Sequence, residues 1–216
     1  MIYAGDAKEL SKNVADESID LIFTDPVYQN IEDYAWLAET AARILKPDSA
    51  CLAWYGGSKP CEVKRLMGEH LKWTWDLKYV VPAKPYPLRG YNIFCWTTML
   101  FWFRKGKGYP VNRVPDTFIS SKRPDNGFKW NKNIAPIKYW LSAFLPDGGT
   151  VFDPFAGSGT VGVACQELGL GYIGFEIDED RAAEAQDRID NTPPNMFVEQ
   201  VVQTELSLDK HSSNML

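Results

Sequence analysis

Two rhythms of apolar residues alternate along the 216-residue chain. Compact apolar runs at 1–4, 19–23, 49–55, 150–152 and 172–177 have the length and composition of buried strands. Between them, apolar residues recur every three or four positions. Tyr34, Leu37, Ala38, Ala41, Ala42 and Leu45 mark an amphipathic helix over 33–45, with Asp33 near its start and Pro47 closing it. Gly56-Gly57-Ser58 turns into a second helix from about residue 59 to 71, and a third spans 134–145. Val161, Val163, Ala164 and Leu168 mark a fourth. Residues 73–81 and 97–104 read as strands spaced closely enough to form an antiparallel pair at a sheet edge. This alternation predicts an α/β fold, a mainly parallel sheet with helices on both faces. Two stretches break the rhythm. Residues 82–95 hold Pro82, Pro85, Pro87 and Gly90 and read as a loop, while 109–131 lack periodicity and read as an irregular insertion. From Asn191 onward the chain is polar. The expected domain therefore runs over 1–190, with a basic, irregular insertion at about 82–132 and a disordered tail over 191–216.

Candidate chemistry concentrates in two places. Asp153-Pro154-Phe155-Ala156-Gly157-Ser158-Gly159-Thr160 joins a strand to a helix through small residues. Glycines there permit positive φ and keep side chains off a ligand's approach path. The turn is not a Walker loop, since no Gly-Lys-Ser/Thr follows, and it is not GxGxxG. The next strand ends in Glu176 and Asp178, where an acid is placed to hydrogen-bond a ribose diol. Far upstream, the strand at 19–23 runs into Thr24-Asp25-Pro26-Val27-Tyr28.

Together, Asp25-Pro26-Val27-Tyr28 and the 153–160 turn resemble the DNA amino-methyltransferases, which methylate exocyclic amines of adenine or cytosine with S-adenosylmethionine. The catalytic motif precedes the cofactor motif, as in the permuted beta class of that family. The resemblance implies a Rossmann-like methyltransferase fold in circularly permuted order. It also implies direct methyl transfer to a flipped base in double-stranded DNA. Asp25 and the Pro26 carbonyl would accept hydrogen bonds from the target amine, and Tyr28 would stack on the base. Asp153, Gly157, Ser158, Gly159 and Thr160 would hold the methionine end of the cofactor. Phe155 would pack on the cofactor or fill the core, and Glu176 would bind the ribose. Asp6 would contact the cofactor's adenine or cap the helix beginning near Ala7. Lys132 is the single match to a family stretch that precedes the cofactor strand. Val27 stands where the family carries a second proline, which leaves the turn softer. Asp at the head of the motif is commoner among adenine enzymes and Ser among cytosine enzymes. Adenine N6 is therefore the expected target. Cytosine N4, or an inactive nucleic-acid-binding homologue, is the alternative.

Net charge is −5, but its distribution is uneven. Residues 59–138 hold 16 Lys/Arg against 5 Asp/Glu, and the flanks are acidic. A basic middle segment suits phosphate neutralisation. Lys84, Arg89, Arg104, Lys105, Lys107, Arg113, Lys122, Arg123 and Lys129 are its DNA-binding candidates, with Tyr86, Tyr91 and Trp130 interleaved for stacking or wedging. The four cysteines form no CxxC pair, and the two histidines are too few for a zinc site, so no metal is expected. Cys61 follows Pro60, the dipeptide of cytosine carbon-5 enzymes, but reads as a helix residue. No apolar run reaches membrane-spanning length, and residues 1–6 show no signal core. A cytoplasmic enzyme of bacterial or phage origin is expected, solitary or paired with a nuclease, with monomer and homodimer both open.

Overall fold

The computed structural model describes residues 1–81, 86–88, 92–120, 133–145 and 147–193. Strand β1 (Ile2–Ala4) leads through the short helix α1 (Ala7–Leu10) to β2 (Ile19–Thr24). Helix α2 (Ile31–Ile44), strand β3 (Leu45–Tyr55), helix α3 (Pro60–Met67) and strand β4 (Lys72–Val80) follow. Next come β5 (Tyr86–Leu88), β6 (Ile93–Cys95), β7 (Thr97–Arg104) and β8 (Thr117–Ile119). The chain then forms α4 (Ile134–Phe144), β9 (Thr150–Asp153), α5 (Thr160–Leu168), β10 (Gly171–Glu176) and α6 (Glu179–Asp190).

Among the described residues, eight strands make one sheet in the order β1-β10-β9-β2-β3-β7-β4-β8, and β5 and β6 pair separately. Only β7 in the larger sheet runs against the others. The alternation along β2 explains the layering. Ile22 faces one side, among Leu37, Ala41 and Val63 of α2 and α3. Leu21 and Phe23 face the other, among Trp140, Leu141, Val161 and Ala164 of α4 and α5. Both faces are thus apolar, as a sheet covered on both sides requires. On that second face, α6 adds Ala182, Ala185 and Ile189 beside Ile2.

The order is permuted in space as well as in motif. The series β9–α5–β10–α6 continues spatially into β1, which pairs in parallel with β10. Gln186 of α6 accepts a hydrogen bond from the Ile2 amide at 2.7 Å. From β9 the sheet therefore grows one way through β10 and β1, and from β2 the other way through β3. The β9/β2 boundary is the topological switch point, where open α/β sheets bind ligands beyond the carboxyl ends of the strands.

Three sequence expectations change. The β4 and β7 strands are antiparallel neighbours, but β7 is inserted between β3 and β4, and β8 takes the edge. The insertion read as irregular contains β8, whose Thr-Phe-Ile run pairs with Lys78, Tyr79 and Val80. The proline-rich loop contains a β5–β6 ribbon with Pro87 opposite Phe94. Residues 194–216, most of the expected tail, lie outside the described residues.

Phe103 is fully buried and Val111 is 65% exposed. Phe103→Ala is expected to cost about 3–5 kcal/mol in urea unfolding, and Val111→Ser to stay within about 0.5 kcal/mol of the parent.

Candidate active site

Thr24 and Asp153 end the two central strands, and a hydrogen bond joins them. The Thr24 hydroxyl donates to Asp153 Oδ1 at 2.6 Å. Asp153 is 2% exposed, and the Phe155 amide donates to the same oxygen at 3.2 Å. Burial pushes the Asp153 carboxyl up to about 7, opposed by the bonds from Thr24 and Phe155 and reinforced by the negative charge of Asp25. The partly buried Tyr172 side chain lies alongside, with its hydroxyl enclosed. Asp25 follows Thr24 directly, so one buried contact fixes the 25–28 turn against the root of the 153–160 turn.

The 153–160 turn is built from backbone bonds and left-handed glycines. The Ala156 amide donates to the Phe175 carbonyl at 2.9 Å. Gly157, at φ 53°, donates its amide to Glu176 Oε2 at 2.9 Å. A Cβ there would meet nothing closer than 4.0 Å, so the space above the turn is open. Gly159, at φ 72°, is constrained twice, because a Cβ would lie 3.0 Å from the Ala185 methyl of α6. Thr160 then opens α5. Ser158 and Thr160 hydroxyls lie 3.2 Å apart. Arg188 of α6 braces the turn from behind, donating to the Ser158 carbonyl at 2.9 Å and to Thr160 Oγ1 at 3.2 Å. Glu176 is 7% exposed at the end of β10. Its Oε1 accepts from the Asp178 amide at 3.2 Å. A carboxylate offers about four lone-pair sites, so capacity remains for a diol.

Around this turn, Asp6 is exposed and caps α1, accepting from the Lys8 amide at 2.7 Å. It lies near Glu176 across the β1–β10 pairing, where the Gly5 amide donates to the Glu176 carbonyl at 2.8 Å. Phe155 is half-buried and meets Trp36 of α2 edge-on, with ring centres 5.9 Å apart. Ile177, next to Glu176, is 72% exposed.

The 25–28 turn is shaped by aromatic packing. Val27 is exposed and its carbonyl accepts from the Asn30 amide at 2.9 Å. Tyr28 sits 6.0 Å from Tyr55, which stacks on Phe101 at 5.0 Å. Gly56 and Gly57 at the end of β3 make room for these rings. A Cβ on Gly56 would fall 2.6 Å from Tyr28, and one on Gly57 would fall 2.6 Å from the Tyr55 hydroxyl. That hydroxyl accepts from the Lys59 amide at 2.7 Å.

The DNA-binding candidates divide. Arg104 ends the reversed strand β7, opposite Ala50 in the middle of β3 and Lys72 at the beginning of β4. It therefore lies at the sheet edge away from Asp25. It stacks on Tyr109 and donates to Thr74. Lys105 is held by Glu17 and the Leu45 carbonyl, and the Lys107 amide donates to Asp48. Arg113 is exposed, close to where Val111 and Asn112 bond the Ala143 carbonyl near the end of α4. The structure does not bring these four to the 25–28 turn: β7 runs against its neighbours, so the segment after it starts from the opposite edge of the sheet. Lys84, Arg89, Lys122, Arg123, Lys129 and Lys132 lie outside the described residues, as do Tyr91 and Trp130. Ser120 and Asn133 lie at the same sheet edge as Asp25, with Asn133 donating to Ser120 at 3.2 Å and to Tyr79 at 3.1 Å. Cys61 is an exposed residue of α3.

The profile of the DNA methylase family matches residues 68–187, more than half of the chain. The chain belongs to this family. Its fold is the Rossmann-like fold of S-adenosylmethionine-dependent amino-methyltransferases. The type II methyltransferase M.HpaI of Haemophilus parainfluenzae is 26% identical over 229 residues, covering 83% of this chain and 71% of that one. M.SmaI of Serratia marcescens reaches 55% identity over 107 residues, covering 42% of this chain and 37% of its own. Among solved structures, M1.HpyAVI in its SAM complex superposes with a TM-score of 0.76 at 24% identity, over 88% of this chain and 98% of that one. PvuII DNA methyltransferase, described as cytosine-N4-specific, gives 0.73 at 18% identity, over 96% and 89%. At such identities the shared feature is the fold. Among the described residues no helix is long and apolar enough to cross a membrane.

Thr24, Trp36, Lys59 and Arg188 are participants that motif reading passed over. Their signals are three-dimensional, and only the seven-residue spacing of Arg181 and Arg188 on α6 marks a common helix face.

The raised Asp153 carboxyl has a measurable consequence. Between its ordinary value near 3.8 and about 7, the folded chain holds a proton that the unfolded chain has lost. Rising pH therefore weakens the fold across this window. Urea melts from pH 4 to 7 should show wild type losing stability relative to Asp153→Asn. Parallel pH profiles for the two proteins would contradict the assignment.

Proposed function

We propose that this chain transfers the methyl group of S-adenosylmethionine to an exocyclic amine of a base in DNA, with adenine N6 as the target. The observation that carries the reading is the Thr24–Asp153 bond, which sets Asp25 and Pro26 beside the 153–160 turn at the switch point. The residues suit the cofactor chemically. Asp153, Glu176 and Asp25 offer carboxyl oxygens toward a cationic, diol-bearing molecule, and the space over Gly157 is open. Ile177 offers an exposed apolar surface next to Glu176 for a purine face.

When bound, the cofactor supplies an electrophilic sulfonium methyl, and its sulfur leaves with the C–S electron pair. The chain's own work is to prepare the amine. An exocyclic amine is planar because its lone pair is shared with the ring. The Asp25 carboxylate and the Pro26 carbonyl accept its two hydrogens, favour tetrahedral nitrogen and stabilise the positive charge that develops. Asp25 is the immediate acceptor for the proton released. Tyr28, steadied by Tyr55 and the two glycines, offers a face for the extruded base. No covalent enzyme intermediate is required, so positioning and electrostatics supply the rate.

Asp25 at the head of the motif supports adenine. The likeness to PvuII methyltransferase supports cytosine N4 as the second reading. Incubation with tritiated S-adenosylmethionine and unmethylated genomic DNA, followed by nucleoside analysis, distinguishes them. Label is expected in N6-methyladenine, and Asp25→Asn should lower its appearance at least 10²-fold with cofactor affinity within about 3-fold of wild type. Label in N4-methylcytosine would establish the second reading. Cofactor binding with no transfer to DNA would overturn both.

A further inference from the structure

The β5–β6 ribbon leaves the sheet at the catalytic edge. Its root continues the β4–β7 ladder, with the Val81 amide donating to the Trp96 carbonyl at 2.9 Å. Since β4 runs parallel to β2 and β3, the end of β4 lies on the same side as Asp25. Three strand spacings separate β2 from β4, about 14 Å at ~4.8 Å each. That is on the order of the ~12 Å width of a DNA major groove.

The ribbon's surface is unusual for something facing water. Successive strand residues point to opposite faces, yet Ile93 is 56% exposed and Phe94 is 62% exposed. Pro87, opposite Phe94, is exposed as well. Trp96 at the root is 47% exposed. An isolated two-stranded ribbon is marginal in water, and this one shows apolar side chains on both faces. The chain leading into and through it is basic, because residues 77–103 contain Lys78, Lys84 and Arg89 and no Asp/Glu, which suits an anionic partner. A two-stranded ribbon is a shape the major groove admits, and apolar wedges between bases are a means of holding a helix open.

We propose that β5–β6 enters duplex DNA beside the target and that Phe94, backed by Ile93, fills the space vacated by the extruded base. The proposal rests on the reading of this chain as a DNA methyltransferase. The ring offsets part of the stacking lost on extrusion, so its contribution shrinks when the target base is already loosely held.

The test begins with wild-type protein and genomic DNA, to map the modified position. Two oligonucleotide duplexes then carry that position, one with the target normally paired and one with it opposite an abasic site. Phe94→Ala is expected to slow transfer at least 10-fold on the paired duplex and no more than about 2-fold on the abasic one. Phe94→Trp should keep most of the activity on both. Unchanged melting temperature and cofactor affinity verify that the variants are folded. Equal slowing on both duplexes, no slowing on either, or a change of oligomeric state in Phe94→Ala would overturn the wedge. Failure of wild type to methylate any DNA would overturn the functional reading itself, and the wedge with it.

Discussion

A single buried bond between two strands 129 positions apart in sequence holds the candidate site together. Thr24 and Asp153 close the carboxyl ends of β2 and β9. To either side the sheet grows in opposite directions, so the loops beyond these two residues diverge and leave a crevice. The two groups proposed to accept the amine hydrogens lie one and two residues beyond Thr24. Asp25 and Pro26 follow Thr24, while Phe155 and the glycine turn follow Asp153. A hydroxyl-to-carboxyl link in a dry setting is directional and strong, because no water competes for it.

The same burial gives the crevice its electrical character. Asp153 is held near the boundary between charged and neutral, and a second acid, Asp25, lies close enough to add to the shift. Glu176 is kept in place by two backbone amides, with the exposed Arg181 guanidinium 3.7 Å from its Oε1. Negative and acceptor groups therefore gather where a cationic donor would sit. Arg104, Lys105 and Lys107 lie away from this point, toward the opposite edge of the sheet. Steric constraint complements the electrostatics. Gly159 lets α6 approach the cofactor turn, and Gly56 and Gly57 let Tyr28 and Tyr55 pack together.

Much of this could be read from residues alone, for a physical reason. The motif turns obey local rules: glycine for positive φ, proline for a fixed bend, an acid at a strand end. The α/β alternation follows from burial on two faces. What could not be read depends on contacts between distant segments. The insertion of β7 between β3 and β4 carries Arg104, Lys105 and Lys107 to the far edge of the sheet. The close spacing of β4 and β7 announced their antiparallel pairing, but not which of the two lies against β3. The β5–β6 ribbon hides among prolines because three-residue strands leave too short a pattern to register. Arg188 looks like any surface arginine of an acidic helix until α6 is folded against the turn.

The claim that the Thr24–Asp153 bond aligns the two loops is tested most directly by the kinetics of Thr24→Val and Thr24→Ser. Valine keeps the shape and removes the hydroxyl, whereas serine keeps the hydroxyl. The account predicts that Thr24→Val lowers kcat for methyl transfer at least 10-fold while the protein still melts cooperatively. Thr24→Ser should recover most of that loss. If Thr24→Val and wild type transfer methyl groups at rates within about 2-fold, the bond does not align the site and the account is wrong at its centre.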